Sequence, residues 1–363
     1  MAKWHMDIEG MPQFDRAMER IEAWFEGEIV DRAPLRFNIT RPGGGAGRAA
    51  PEKSYASLAD RWFDYEYAID RIAEGLSGRR FIAETFPLYY PNLGPGVYAA
   101  FYGAELEFME STSWTVPIIK EASEAAGLKL DWNNKYLKRL DDMTDYALNR
   151  LKGKALIGYT DMHPSADCVA DWADSQEMCL MLRDDPEGVE IAVNKAVEDF
   201  EDIYNHFDGK LKAHGHLSIS WLGIPSFGRM HIPSCDFSYM VSGGDFRRFC
   251  LPAARREMRT MTHNVWHLDG AGCARHLDDL LEVSELQAIQ WVQGAGGGEP
   301  IMQWVPLIKK IQSAGKSVMV SMKCDEFEPF IGAVSPKGMH LSVEVPTGDD
   351  ALAIVRRAEK WLK

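Results

Sequence analysis

His267 and Asp269 stand two residues apart in the apolar run HNVWHLD (263–269), and a strand places residues at that spacing on one face. An imidazole beside a carboxylate can share one metal ion or one proton, and both groups serve zinc or iron. The competing role is a hydrogen-bonded pair that ties down the turn. The pattern recurs in YTDMH (159–163), where Asp161 and His163 are again two apart and Asp167 follows closely; here Asp161 competes as a helix cap. A third cluster, HIPSCD (231–236), offers Asp236 for ligand contact. Its neighbour Cys235 gains no thiolate stabilisation from an adjacent carboxylate. Gln290, Gln293 and Glu299 close the run LQAIQWVQGAGGGE, and Lys323-Cys324-Asp325-Glu326 closes SVMVSMK. Cys324, or Glu344 in LSVEVPTG, is the expected third ligand if His267 and Asp269 hold a metal. The aromatics Phe86, Tyr89, Tyr90, Tyr102 and Trp114 are dense enough to wall an apolar or planar ligand, though aromatics at such density more often form a core or a homodimer interface.

Such groups need a scaffold that presents strand ends together. From PLRFNI (34–39) onward, strand-like and helix-like runs alternate about eight times. That alternation predicts a single (β/α)8 TIM barrel over 34–363, preceded by an amino-terminal extension over 1–33 that packs on it. Strands are expected at 80–88, 155–161 and 216–223 and a long helix at 55–76, with the closing helix carrying Ala353, Ile354, Ala358, Trp361 and Leu362 at helical spacing. Barrel sites lie at the carboxyl ends of the strands, where these polar clusters fall. No G-x-G-x-x-G follows the first strand, which argues against a dinucleotide fold; the glycine-rich RPGGGAGRAAPEKS (41–54) reads as a loop.

Composition narrows the function classes. The chain has 363 residues, 46% hydrophobic and 26% charged, with a formal net charge of −14. An acidic surface repels phosphate backbones and anionic lipid, so neither nucleic acid nor membrane is an expected partner. The amino terminus lacks a signal-peptide core, and the six cysteines form no CxxC, which points to a cytoplasmic protein without a disulfide framework.

Four segments, EGEIVDRAPLRFNIT, YPNLGPGVYAAFYG, IPSCDFSYMVSGGDFRRFCLPAARREM and HLDGAGCARHLDDLLEVSELQAIQWVQGAG, resemble the uroporphyrinogen decarboxylase superfamily, which includes zinc-using, corrinoid-linked methyltransferases. The resemblance spans nearly the whole chain and implies the barrel. It also implies an enzyme that passes a methyl group between a small methylated substrate and a separate corrinoid (cobalamin-carrying) protein. His267, Asp269, Asp161 and His163 would then be catalytic, Asp236, Tyr89, Tyr90, Trp114, Gln290 and Arg41 substrate-binding, and His267, Asp269, Cys324 and Glu344 the zinc set. The chain departs from the family in two places. It lacks the Arg-Gln-Ala-Gly-Arg-like run with which decarboxylases grip porphyrinogen carboxylates. It also carries His267-Leu-Asp269 where thiol-activating methyltransferases carry His-x-Cys. A harder ligand set suits a more Lewis-acidic metal. Two other readings stay open: a metal-free decarboxylase or lyase whose substrate carboxylate is held by Arg36 or Arg41, and a non-catalytic tetrapyrrole- or corrinoid-binding protein.

Overall fold

Ten short strands form in chain order among the described residues: β1 (Leu35–Ile39), β2 (Leu88–Tyr89), β3 (Glu105–Phe108), β4 (Ser113–Val116), β5 (Leu156–Ile157), β6 (Met230–His231), β7 (His263–Asp269), β8 (Ala288–Val292), β9 (Ser317–Lys323) and β10 (Met339–Val345). The structure, a computed structural model, describes residues 5–40, 53–294 and 300–361. Six strands make one curled, all-parallel sheet in the order β1-β10-β9-β8-β7-β6. β2 pairs with β5 in parallel, and β3 and β4 form an antiparallel ribbon.

Parallel strands buried on both faces read as nearly continuous apolar runs, and here each face has its own core. Leu35, Leu268, Ile289, Val320 and Val343 face outward and pack under the surrounding helices. Phe86, Leu156, Ile219, Met230, Val265, Ala288 and Met319 face inward. The inner core is closed at the amino ends of the strands by the helix Phe14–Phe25. That helix buries Phe14, Ala17, Met18, Ile21, Trp24 and Phe25, a three-and-four spacing that puts one stripe toward the sheet. Trp24 donates its indole N–H to the Gly338 carbonyl at 3.0 Å, and Phe25 stacks on His263 with ring centroids 4.0 Å apart. The polar clusters lie at the opposite end.

Two expected strands are less regular than their sequences suggest. Segment 80–88 contributes only β2 at its end, and 216–223 only an isolated bridge between Ser218 and Ser226. Side-chain hydroxyls replace part of the ladder there. Phe37 N–H donates to Thr85 Oγ1 at 2.9 Å, and Met230 N–H to Ser218 Oγ at 3.0 Å. Main-chain bonds join the same segments: Glu84 N–H to Leu35 O at 2.9 Å, Leu156 N–H to Pro87 O at 2.9 Å and Tyr159 N–H to Ile219 O at 3.0 Å. Of the eight strands expected, five thus form the continuous sheet, as β1, β7, β8, β9 and β10; its sixth, β6, lies past the run at 216–223, and the run at 155–161 contributes only β5 beside β2. The helix expected over 55–76 is two, Leu58–Phe63 and Tyr65–Leu76, broken at Asp64. The closing helix, Gly348–Ala358, buries Ala351 and Ala358 and packs Ile354 and Trp361 beside them, while Leu362 lies outside the described residues. Among the described residues no helix is long and apolar enough to cross a membrane.

Candidate site at the carboxyl ends of the strands

Past β6 the chain keeps running beside β7: His267 N–H donates to Pro233 O at 2.9 Å, and Ser234 bridges to His267 in parallel. This carries Asp236 to the end of β7, next to His267 and Asp269. One ligand atom from each of Asp236, His267 and Asp269 lies within 4.8 Å of the other two. Three atoms so arranged sit at most about 2.8 Å from a common point, close to zinc bond lengths of about 2.0–2.3 Å. His267 Nδ1 lies 2.7 Å from Gln290 Oε1 on β8. An amide oxygen only accepts, so Nδ1 donates to it and Nε2 is the nitrogen turned away from Gln290, the way a metal-binding imidazole is oriented from behind. Trp221 meets the His267 ring edge-on at 5.2 Å. Among the described residues, no side chain engages the carboxylates of Asp236 or Asp269.

These carboxylates open onto a cavity of about 410 Å³, lined also by Tyr239, Cys273, Gln293 and Gly294. Its floor depends on two glycines. Gly270 (φ +79°) and Gly294 (φ +85°) turn left-handed back to back, and a Cβ on Gly294 would stand 3.0 Å from Gly270 Cα.

A second group, His163, Asp167 and Asp236, shares Asp236 with the first. His163 and Asp167 are engaged by Asp161, Ser234 and main-chain N–H groups, to which Asp236 contributes only its N–H. His163 Nε2 lies 3.0 Å from Asp161 Oδ2, and Nδ1 lies 2.9 Å from Ser234 Oγ, which in turn donates to Asp167 Oδ2 at 3.3 Å. Asp167 also accepts the N–H groups of Asp236 at 3.0 Å and Phe237 at 2.9 Å. Burial alone would lower the His163 pKa, but Asp161 and Asp167 outweigh it and hold the imidazole well above its ordinary value, hence charged. Burial likewise opposes ionisation of Asp167, yet His163 and the two N–H groups keep its pKa below normal. Asp236 differs. Surrounding protein first, then the charge of Asp167, push its carboxyl up to about 6.

Below this group lies a buried support. Ser165, at φ +63°, donates its hydroxyl to Glu257, whose other oxygen lies 3.1 Å from His231 Nε2. Burial pushes Glu257 up, with His231 opposing. The strained Ser165 starts the helix Ser165–Ala173 that carries Asp167, so the network fixes where that carboxylate stands.

Several expected site residues sit elsewhere. Cys324 and Glu344 join neither group. Their strands, β9 and β10, lie two and three places from β7, roughly 10 and 14 Å at about 4.8 Å per strand, whereas the β6 side is adjacent. Asp236, expected to touch substrate, is therefore the third group beside His267 and Asp269. Gln290 is occupied by His267. The aromatic wall does not assemble. Tyr89 and Phe86 are core, Tyr102 bonds Asp199, and Trp114 is 60% exposed on the β3–β4 ribbon. Tyr90 alone stays near, half-buried and within reach of the Asp161 charge, which with burial raises its pKa. Asp161 does not cap the helix after it, because its carboxylate is held by His163. Arg41 and Glu299 lie outside the described residues. Sequence reasoning passed over Ser234 and Glu257. A serine in a loop and a glutamate on an otherwise apolar helix face carry no spacing signal.

No family model and no curated protein sequence matches the chain. Among solved structures, it is similar in fold to a methyltransferase from Methanosarcina mazei, with a TM-score of 0.60 and 13% identity, over 96% of this chain and 99% of that one.

Proposed function

We propose that the protein is a methyltransferase of the corrinoid-linked type within the uroporphyrinogen decarboxylase superfamily, its curled sheet closed into a barrel by the segments at 84–89, 156–159 and 216–221. It takes a small methylated substrate into the cavity and passes the methyl group to or from a corrinoid carried by a separate protein. The observation that carries this reading is the convergence of Asp236, His267 and Asp269 at the strand ends, where the two carboxylates, unengaged by other side chains among the described residues, line a cavity. The shared fold with a methyltransferase supports it.

Breaking a carbon–heteroatom bond to methyl returns the electron pair to the heteroatom, which leaves poorly unless that charge is neutralised. Asp236, His267 and Asp269 would hold a zinc ion, which when bound supplies a Lewis acid for that heteroatom. One nitrogen and two oxygens make a hard set, suited to an oxygen or nitrogen substrate rather than a thiol. Gln290 orients His267, Asp167 anchors the Asp236 backbone, and the Asp161–His163–Ser234 chain holds Asp167 ionised. Metal analysis tests the assignment. Protein purified without chelators should hold about one zinc per chain, lost in His267→Ala and kept in Cys324→Ala. Zinc retained by His267→Ala, or lost on Cys324→Ala, would contradict it.

A further inference from the structure

Arg36 has no carboxylate partner of the kind that Arg32 and Arg20 have among the described residues. Arg32 is paired with Glu84 at 2.6 and 3.0 Å, and Arg20 with Asp31 and Glu84. The half-buried Arg36 guanidinium donates from Nη1 to the Leu222 carbonyl at 2.7 Å, and among the described residues no carboxylate lies within ion-pair distance of it. Its place in the sheet is well defined. Leu35, Phe37, Leu341, Val343, Val320 and Met322 belong to the outer core, so the residues alternating with them face inward. Those residues form a row across three neighbouring strands, Arg36 beside Ser342 and Ser342 beside Ser321. Ser342 is half-buried and Ser321 exposed, and among the described residues neither hydroxyl makes a hydrogen bond. A desolvated cation without a counter-ion is costly, and two short hydroxyl side chains beside it leave room.

We propose that Arg36, with the hydroxyls of Ser321 and Ser342, binds the carboxylate of the substrate, so that the methyl donors or acceptors handled here are small methylated carboxylic acids. With Nη1 held by Leu222, the Nε–Nη2 edge remains for the two-pronged contact a planar carboxylate makes. The hydroxyls supply further donors. β1 lies four places from β7 in the sheet, so at about 4.8 Å per strand the two ends of the site are at most ~19 Å apart along the curl and nearer across it. The carboxylate is a handle at one wall while the methyl-bearing heteroatom faces Asp236, His267 and Asp269 at the other. This rests on the methyl-transfer reading for the role of the second end, but not for the binding itself.

Calorimetric titration of the full chain with para-methoxybenzoate and N,N-dimethylglycine, against their uncharged amides, tests the subsite without metal or methyl acceptor. The acids should bind in the millimolar range or tighter and the amides at least about tenfold more weakly. Arg36→Met should remove that preference, and Arg36→Lys should keep part of it. Arg36→Met without ligand should melt at or above the wild-type temperature, because the unpaired charge is gone. Equal binding of acid and amide, no binding by either acid, or a preference that survives Arg36→Met would overturn the proposal. A lower melting temperature for Arg36→Met would assign Arg36 to the fold instead. An acid that binds through Arg36 but never exchanges a methyl group would count against the methyl-transfer reading and leave the subsite standing.

Discussion

Replacing Asp167 with alanine should loosen the loop that carries Asp236, and the structure sets the size of the effect. The carboxylate accepts N–H groups from Asp236 and Phe237 and the hydroxyl of Ser234, and lies 3.6 Å from His163. Each hydrogen bond to a charged group contributes about 1.5–3 kcal/mol, and the Phe237 N–H would be left without this acceptor in a buried position. His163 would keep Asp161 but lose one of its two carboxylates. Contributions at one site do not add, so the expected loss is about 3–5 kcal/mol, the range for breaking a buried charge pair. That is a large part of a typical stability of about 5–15 kcal/mol. Urea denaturation, followed by tryptophan fluorescence, measures it directly. Asp167→Asn keeps one acceptor and should lose less, and zinc affinity should fall in both variants as Asp236 loses its anchor. If Asp167→Ala unfolds within about 1 kcal/mol of wild type, the network does not organise the mouth as described.

Gln290→Leu removes the acceptor that orients His267 and should weaken zinc binding by about 10–100-fold with little change in stability, read by competition with a chromogenic chelator. Trp24→Ala removes the largest side chain that the amino-terminal helix buries in the inner core, while the Gly338 carbonyl keeps the Val318 N–H at 2.8 Å; equilibrium unfolding should show a loss of about 3–5 kcal/mol, and a loss under 1 would remove the amino-terminal helix from the core. The protein should also be acid-labile. Burial lowers His216 and His263 to about 4 and His340 to about 3, so these rings are neutral in the folded chain. A group whose folded pKa lies below its unfolded value of 6.5 costs stability as pH falls between the two, on the order of 3 kcal/mol each. Asp171, raised to about 6 mainly by burial, gains on protonation and offsets part of this. Unfolding free energy should therefore fall steeply from pH 6.5 toward 4, and a flat profile there would mean that the rings are not buried neutral.

His267 and Asp269 were legible as a pair because a strand repeats every two residues, and their position at the end of an apolar run located them at a strand terminus. The third member was not. Asp236 becomes a neighbour only through the adjacency of β6 and β7, a tertiary fact, whereas Cys324 and Glu344 attracted attention by their chemistry and lie too many strands away. Tyr89 and Trp114 failed for a related reason, since composition shows how many aromatics exist but not which face each one takes. The runs 80–88 and 216–223 have the apolar content of strands. Thr85, Ser218 and Tyr204 hydroxyls satisfy backbone groups there, so the ladder is broken where the pattern looked continuous. The amphipathic stripe of the helix Phe14–Phe25 was visible in its spacing, but its destination across the amino ends of the sheet depends on long-range contacts such as Trp24 to Gly338.

Methyl exchange itself tests the central claim. Zinc-loaded protein would be mixed with cob(I)alamin and a panel of O-methyl and N-methyl carboxylic acids, and the conversion to methylcobalamin followed optically. The account predicts conversion with at least one acid, abolished in Asp269→Ala and His267→Ala. Folded, zinc-loaded protein that converts none of them, or that converts one equally well without His267 and Asp269, would contradict it.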